Sequence, residues 1–259
     1  MTTSITHSPI PNSPLASAIA AARSAGKLIR SQFGRPLDVA EMLAHDIKLD
    51  LDVQSQQLIT DALLADFPTH AIYGEEGLAG NQDSEWQWIV DPIDGTVNFF
   101  YSIPHFCISI ALRHKGIIQV GVIYDPMRDE LWEVELGQTP KLNGNPIRVS
   151  QRNTLSDGVV SVGMSKSPDV AIQATALLEK YVRRARKCRL MGSAALDLAY
   201  VACGRLDAYI EQSVSLWDVA AGQLLVEAAG GRFECTPRAE NPDKISVRAW
   251  NGTMDISVE

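Results

Sequence analysis

Cysteine is scarce and scattered. The 259 residues hold four, Cys107, Cys188, Cys203 and Cys235, with no C-x-x-C pair among them. That argues against a zinc site and against a disulfide framework, and fits a reducing cytoplasm. The acidic residues have no nearby histidine or cysteine cluster to join as ligands. No apolar segment reaches the roughly 20 residues that a membrane span requires. Positive charge is also short, with 23 Lys and Arg against 31 Asp and Glu and a formal net charge of −8. This disfavours nucleic acid or an anionic membrane as a partner, because both are held by clustered Lys and Arg. The one basic run, "RRARKCR" at 183–189, reads as a solvated helix end followed by a strand.

What is present is the balance of an ordinary globular chain, 46% hydrophobic and 21% charged, which excludes a disordered protein. The opening "MTTSITHSPIPNSP" lacks the basic region and apolar core of a secretory signal and reads as a disordered leader, residues 1–14. Ser13 and Pro14 then make an N-cap and first-turn pair for a helix with Leu15, Ile19, Ala22, Gly26, Ile29 and Phe33 at helical spacing. A second helix follows in "LDVQSQQLITDALLADF" and stops before Pro68. Next come the β-branched and aromatic runs "WQWIVD", "FCISIALRH", "IIQVGVIYD" and "ELWEVEL", with Lys115 and Gly116 as a tight turn. This stretch predicts an antiparallel sheet. After it, strand and helix alternate from "GVVSV" to "VAAGQLLVEAAGG", as in an α/β unit. The expected organisation is an N-terminal α+β half over 15–155 and a C-terminal α/β half over 156–259, with a cleft between them.

The chemistry concentrates in "WQWIVDPIDGTVNFF", where an apolar strand ends on two acids. Pro92 keeps Asp91 extended, and Gly95 permits a sharp turn. The residues from Thr96 onward can open a short helix whose free N–H groups face Asp94. Glu75 and Glu76 lie between glycines in "YGEEG". Asp218 stands at the apparent start of a helix in "LWDVAAG", and Asp46, Asp50 and Asp52 lead the second helix. Taken singly, Asp218 reads as an N-cap, the Glu pair as a solvated turn, and Asp50 and Asp52 as favourable charges at a helix start. Taken together they describe an oxygen-only ligand set. Like charges about 4 Å apart repel by roughly 4 kcal/mol in a protein cleft, so a hard divalent cation, Mg²⁺ or Mn²⁺, is the expected compensation.

The motifs "GEEG" (74–77), "WIVDPIDGTVNFF" (88–100), "MGSAALDLAYVACGRLDAYIE" (191–211) and "WDVAAGQLLVEAAGG" (217–231) resemble, in order and spacing, those of the inositol monophosphatase family of Mg²⁺-dependent, lithium-sensitive phosphatases. The resemblance implies a layered αβαβα sandwich, usually a homodimer, and a small-molecule phosphomonoester as substrate. By position, Glu75, Asp91 and the carbonyl of Ile93 would hold one metal, Asp91, Asp94 and Asp218 a second, and Glu75 with waters a weaker third. Thr96, bonded to Asp52, would orient or deprotonate the attacking water, and the amides of Gly95 and Thr96 would hold phosphate oxygens. The substrate alcohol would meet Asp94, Gly192, Ser193, Ala194, Glu211 and Asp218.

Two departures stand out: Leu49 replaces a common threonine ahead of Asp52, and Val97 replaces another after Thr96. Within this resemblance the expected substrate is inositol monophosphate, hydrolysed by metal-activated water without a covalent intermediate. The alternatives are 3′-phosphoadenosine nucleotides, fructose 1,6-bisphosphate and histidinol phosphate. Arg152, Lys166 and Arg189 are candidates to bind a second phosphate or carboxylate. A haloacid-dehalogenase phosphatase fits poorly, since its acids stand two apart and here Asp91 and Asp94 stand three apart around Pro92. A non-catalytic phosphate-binding protein is the alternative from another class, and the full set of acids speaks against it.

Overall fold

The computed structural model describes residues 13–37, 39–42, 47–164, 167–239, 241 and 244–258. Most of the leader, Asp46 and Lys166 lie outside these described residues. In chain order the elements are α1 (Pro14–Gln32), β1 (Val39–Met42), β2 (Ile47–Leu49), α2 (Asp50–Asp66), β3 (Ala71–Gly74), β4 (Gly77–Gly80), β5 (Trp86–Asp94) and α3 (Thr96–Phe100). Then come β6 (Cys107–His114), β7 (Ile117–Asp125), β8 (Glu130–Glu135), β9 (Lys141–Leu142), β10 (Asn145–Pro146), β11 (Val159–Val162), α4 (Pro168–Val182) and β12 (Lys187–Arg189). The chain finishes with α5 (Ala194–Ala202), β13 (Ala208–Val214), α6 (Leu216–Ala228), β14 (Arg232–Pro237) and β15 (Ile245–Trp250).

Eight strands form one sheet in the order β10-β9-β8-β7-β6-β5-β3-β4, and five form a second in the order β12-β11-β13-β15-β14. The large sheet is antiparallel except where β3 runs parallel to β5. Alternate residues of its central strands serve two cores. Trp88, Val90, Ile108, Ile110 and Leu112 face α1 and α2, while Ile89, Cys107 and Ala111 face α5 and α6. With helices on both faces neither side can be polar, which is why these strands read as unbroken apolar runs. Beyond α5 and α6 lies the second sheet. Its far face packs Val160, Val162, Ala208 and Ile210 against Tyr181 of α4. The layers therefore run helices, sheet, helices, sheet, helix, the αβαβα order that the resemblance implies.

Local chemistry accounts for several of the boundaries. Ser13 caps α1 by accepting from the Ala16 amide at 3.2 Å, as the Ser-Pro pair predicts. Lys115 and Gly116 both take positive φ, which lets the β6–β7 connection close tightly. The basic run is spent at the surface, Arg183 on Glu179 and Arg186 on Asp157. Arg152 is committed elsewhere than expected. Its Nε donates to both oxygens of the fully buried Asp207 at 2.8 and 2.9 Å. That carboxylate also accepts the Val159 amide, so Arg152 serves as its counter-charge and not as a ligand for phosphate. Arg189 is exposed, with its Nη1 on the Cys188 carbonyl. Among the described residues no helix is long and apolar enough to cross a membrane.

Candidate active site

The carboxyl end of β5 is where the acids gather. Asp91, Asp94 and Asp218 each offer a carboxylate oxygen, and these oxygens lie within 4.8 Å of one another. Asp91 is 1% and Asp94 8% exposed. Three negative charges at such distances repel by roughly 3 to 4 kcal/mol per pair at the effective dielectric of a protein. Burial, and then the charges of Glu75, Asp94 and Asp218, push the Asp91 carboxyl well above the usual range. Asp94 is raised to about 7 by burial and by Asp218, against the bonds it accepts. Without a cation the fully ionised form of this cluster is disfavoured. The set is oxygen-only, with Asp91 and Asp94 buried and Asp218 half-buried, and it sits in a cavity of about 650 Å³ whose wall also carries Glu75, Thr96 and Glu211. That chemistry fits a hard divalent ion of the Mg²⁺ type. Glu75 lines the same cavity and acts on Asp91, but it stands outside the 4.8 Å set.

Each acid is aimed by its own surroundings. Asp91 Oδ1 accepts the Ile93 amide at 3.0 Å. Asp94 is held by a different helix from the one expected. Its Oδ2 accepts Ser193 Oγ at 2.6 Å and the Ala195 amide at 2.7 Å, and its Oδ1 the Ala194 amide at 3.3 Å. The free N–H groups that meet Asp94 thus belong to the start of α5 and not of α3. The left-handed turn at Gly95, with φ +98°, carries the chain past that spot. A side chain at Gly95 would also press within 3.2 Å of the His105 and Gly192 carbonyls. Asp218 is the third residue of α6 and not its cap. Ser215 caps the helix, and the Ser215 amide donates back to Asp218 Oδ2 at 2.6 Å, which fixes the carboxylate's direction.

Thr96 Oγ1 donates to the Ile93 carbonyl at 2.9 Å and lies 3.4 Å from Asp52 Oδ1. Asp52 in turn accepts the Leu49 amide at 2.9 Å, so it caps α2 with one oxygen and faces Thr96 with the other. Burial raises the Asp52 carboxyl to about 7 in spite of that bond. Leu49 itself is buried beside Leu51, so the missing threonine is replaced by core packing. On the opposite wall, Glu211 is no surface charge at a strand edge. It accepts the Tyr209 hydroxyl and is raised to about 7, chiefly by burial. Gly192, Ser193 and Ala194 line the cavity next to it.

Three residues of this region carry no strong sequence signal. Asn98 Nδ2 donates to the carbonyls of His105, Met191 and Gly192 at 2.8, 2.9 and 3.3 Å, tying the turn after Asp94 to the loop before α5. Asp197 is buried in the cavity wall and accepts Ser161 Oγ at 2.7 Å. Lys244 lines the cavity from just ahead of β15. Of the three, Asn98 alone has a local mark, as the polar residue in an otherwise apolar "VNFF". Asn98→Asp would set an acceptor against three carbonyls at a cost of roughly 2–3 kcal/mol. A melting temperature about 4–12 °C lower is expected by calorimetry, and an unchanged value would show that the amide anchors nothing.

The comparisons agree with this geometry. The model of the inositol monophosphatase family matches residues 12–250. The Nus factor SuhB of Pasteurella multocida is 40% identical over 218 residues, covering 83% of this chain and 82% of that protein. Among solved structures, the extragenic suppressor protein suhB of Bartonella henselae superposes with a TM-score of 0.86 at 34% identity, over 93% of this chain and 95% of that one. An IMPase of Thermotoga maritima does so with a TM-score of 0.82 at 33% identity, over 92% of each chain. The chain belongs to the inositol monophosphatase family and is a phosphoric monoester hydrolase.

Proposed function

We propose that the protein hydrolyses small polyol phosphates, inositol monophosphate foremost, with Mg²⁺ as cofactor and water as the direct nucleophile. The observation that supports this most is the convergence of Asp91 and Asp94, at the end of β5, with the distant Asp218 of α6 within 4.8 Å. In this reading Glu75, Asp91 and the Ile93 carbonyl would hold one ion, Asp91, Asp94 and Asp218 a second, and Glu75 with waters a weaker third. When bound, such ions acidify a water and offset the charge growing on the departing alkoxide.

The chain's own groups do the rest. Thr96 has one hydroxyl proton and two acceptors, Ile93 O and Asp52. Ionised Asp52 can take the Thr96 hydroxyl proton as Oγ1 takes one from the attacking water, so that the water is oriented and deprotonated and Asp52 ends as a neutral carboxyl. The Gly95 and Thr96 amides hold phosphate oxygens. Gly192, Ser193, Ala194 and Glu211 receive the alcohol, and the carboxylate of Glu211 accepts its hydroxyls.

The test is phosphate release from inositol 1-phosphate and a panel of other monoesters, with and without Mg²⁺, Mn²⁺ and Li⁺. Mg²⁺-dependent release that Li⁺ inhibits is expected, fastest on inositol phosphate. No release from any ester with either metal would sink the proposal. Thr96→Val is expected to lower kcat about 100-fold or more with KM little changed. The protein is further proposed to work as a cytoplasmic homodimer, which light scattering would check. The curated relatives' designation as Nus factors favours a second reading, in which a binding role accompanies catalysis. A variant dead for turnover that still supports that role in cells would separate the two.

A further inference from the structure

Charge is distributed very unevenly around the cavity. The four motif acids Glu75, Asp91, Asp94 and Asp218 line it, and so do Asp197 and Glu211. Among the described residues lining it, Lys244 is the only Lys or Arg. Its backbone is fixed at both ends, the amide donating to the Asn241 carbonyl at 3.0 Å and the carbonyl accepting the Arg238 amide at 2.9 Å. Its ammonium bonds first to neutral neighbours. Nζ is bonded to the hydroxyl of Ser215 and lies 5.9 Å from the centre of the Trp217 ring. No described carboxylate forms an ion pair with it.

An ammonium has three N–H donors. The hydroxyl takes one, and the ring face is a non-directional neighbour. Lys244 is also near enough to Glu211 to offset part of the upward push that burial gives that carboxyl. It therefore stands beside the wall assigned to the substrate alcohol. An uncharged alcohol needs no cation there. A second negative group would be repelled by Asp197 and Glu211 in this wall, and beside Lys244 it would find a charged donor.

We propose that Lys244 forms an anion subsite for the alcohol part of the substrate, so that between esters of one carbon skeleton the enzyme favours the one whose alcohol carries a second negative group, a carboxylate or phosphate, over its neutral counterpart. This rests on the phosphatase reading above. Of the three residues expected to fill such a role, Lys166 lies outside the described residues, while Arg152 and Arg189 are engaged with Asp207 and the Cys188 carbonyl, and neither of these two lines the cavity.

The test uses three esters of one carbon skeleton: glucitol 6-phosphate, 6-phosphogluconate and 1-amino-1-deoxyglucitol 6-phosphate. These end in a hydroxyl, a carboxylate and an ammonium. Ratios of kcat/KM are taken at fixed Mg²⁺ and ionic strength within one preparation, so any loss of folded protein cancels. The wild type is expected to favour carboxylate over hydroxyl over ammonium. Lys244→Met should lower the carboxylate-to-hydroxyl ratio about 10- to 100-fold, the range for a hydrogen bond to a charged group. Lys244→Arg should preserve the order, and Lys244→Glu should reverse it. Turnover with a ratio that Lys244→Met leaves unchanged, or a wild type indifferent to the carboxylate, overturns the subsite alone. No turnover of any of the three esters, nor of inositol 1-phosphate, overturns the phosphatase reading and the subsite with it.

Discussion

Asp91→Asn is expected to lower kcat/KM by at least about 100-fold and to abolish the rise in melting temperature on adding Mg²⁺. Asparagine has the same shape and keeps an oxygen for the Ile93 amide that Asp91 Oδ1 accepts, so the turn after β5 survives. What disappears is a negative charge buried beside Glu75, Asp94 and Asp218. Loss of a group one shell removed from a metal commonly costs 10- to 100-fold in affinity or activity, and a direct, bridging ligand should exceed that. The same substitution relieves like-charge repulsion, so the metal-free variant should melt at or above the metal-free wild type. A variant with near-normal turnover, or one that simply unfolds, would remove Asp91 from the role proposed for it. Phosphate-release kinetics and scanning calorimetry with EDTA or Mg²⁺ give both readouts.

Metal-free protein is expected to lose stability as pH rises toward 8, and millimolar Mg²⁺ to restore it there while adding little near pH 5.5. A carboxyl whose folded pKa lies above its unfolded value contributes stability when protonated. That contribution is complete below the unfolded pKa, 3.8 for aspartate, and is lost as pH climbs through the folded value. Asp94, raised by burial and Asp218 to about 7, sets the window at pH 4–7, and Asp91, raised well above the usual range by burial and its acidic neighbours, acts in the same direction. For one group, a rise from 3.8 to about 7 corresponds to about 4 kcal/mol, an upper limit here because the acids share their mutual repulsion. His105 works the other way. Lowered to about 4 by burial and Arg128, it stabilises above pH 6.5 and that contribution is lost as pH falls toward 4. Comparing Mg²⁺ with EDTA at each pH cancels the histidine and isolates the carboxylates. Because ligands must shed protons before binding a cation, the Mg²⁺ effect should grow with pH. Saturation near 100 times Kd gives about 2.7 kcal/mol, or about 5–11 °C for a chain of this size. A Mg²⁺ effect that does not vary with pH would mean that the cation binds elsewhere.

The sequence exposed the middle layers of this fold well, for a physical reason. Strands covered on both faces cannot alternate, so β5, β6 and β7 stand out as apolar runs bounded by turns. The β3–β4 hairpin was hidden because it is short and glycine-rich, "AIYGEEGLAG", and its acids look like a loop. The strands β14 and β15 escaped for a different reason. β14 is exposed along most of its length, and β15 buries only Val247 and Ala249 fully, too little to set a period. At the site the acids themselves were legible, since proline and glycine fix their backbone locally. Their partners were not. That Asp94 is held by α5, that Glu211 is turned inward on Tyr209, and that Lys244 shares the cavity all depend on contacts across layers, which no local pattern encodes.

The grip of Ser193, Ala194 and Ala195 on Asp94 joins residues about a hundred positions apart. Closing so large a loop is entropically slow, and such contacts form late unless local structure draws them together. During refolding, the outer helices and the large sheet can therefore acquire their shape before any cation can be captured, and catalytic competence should lag behind the return of secondary structure.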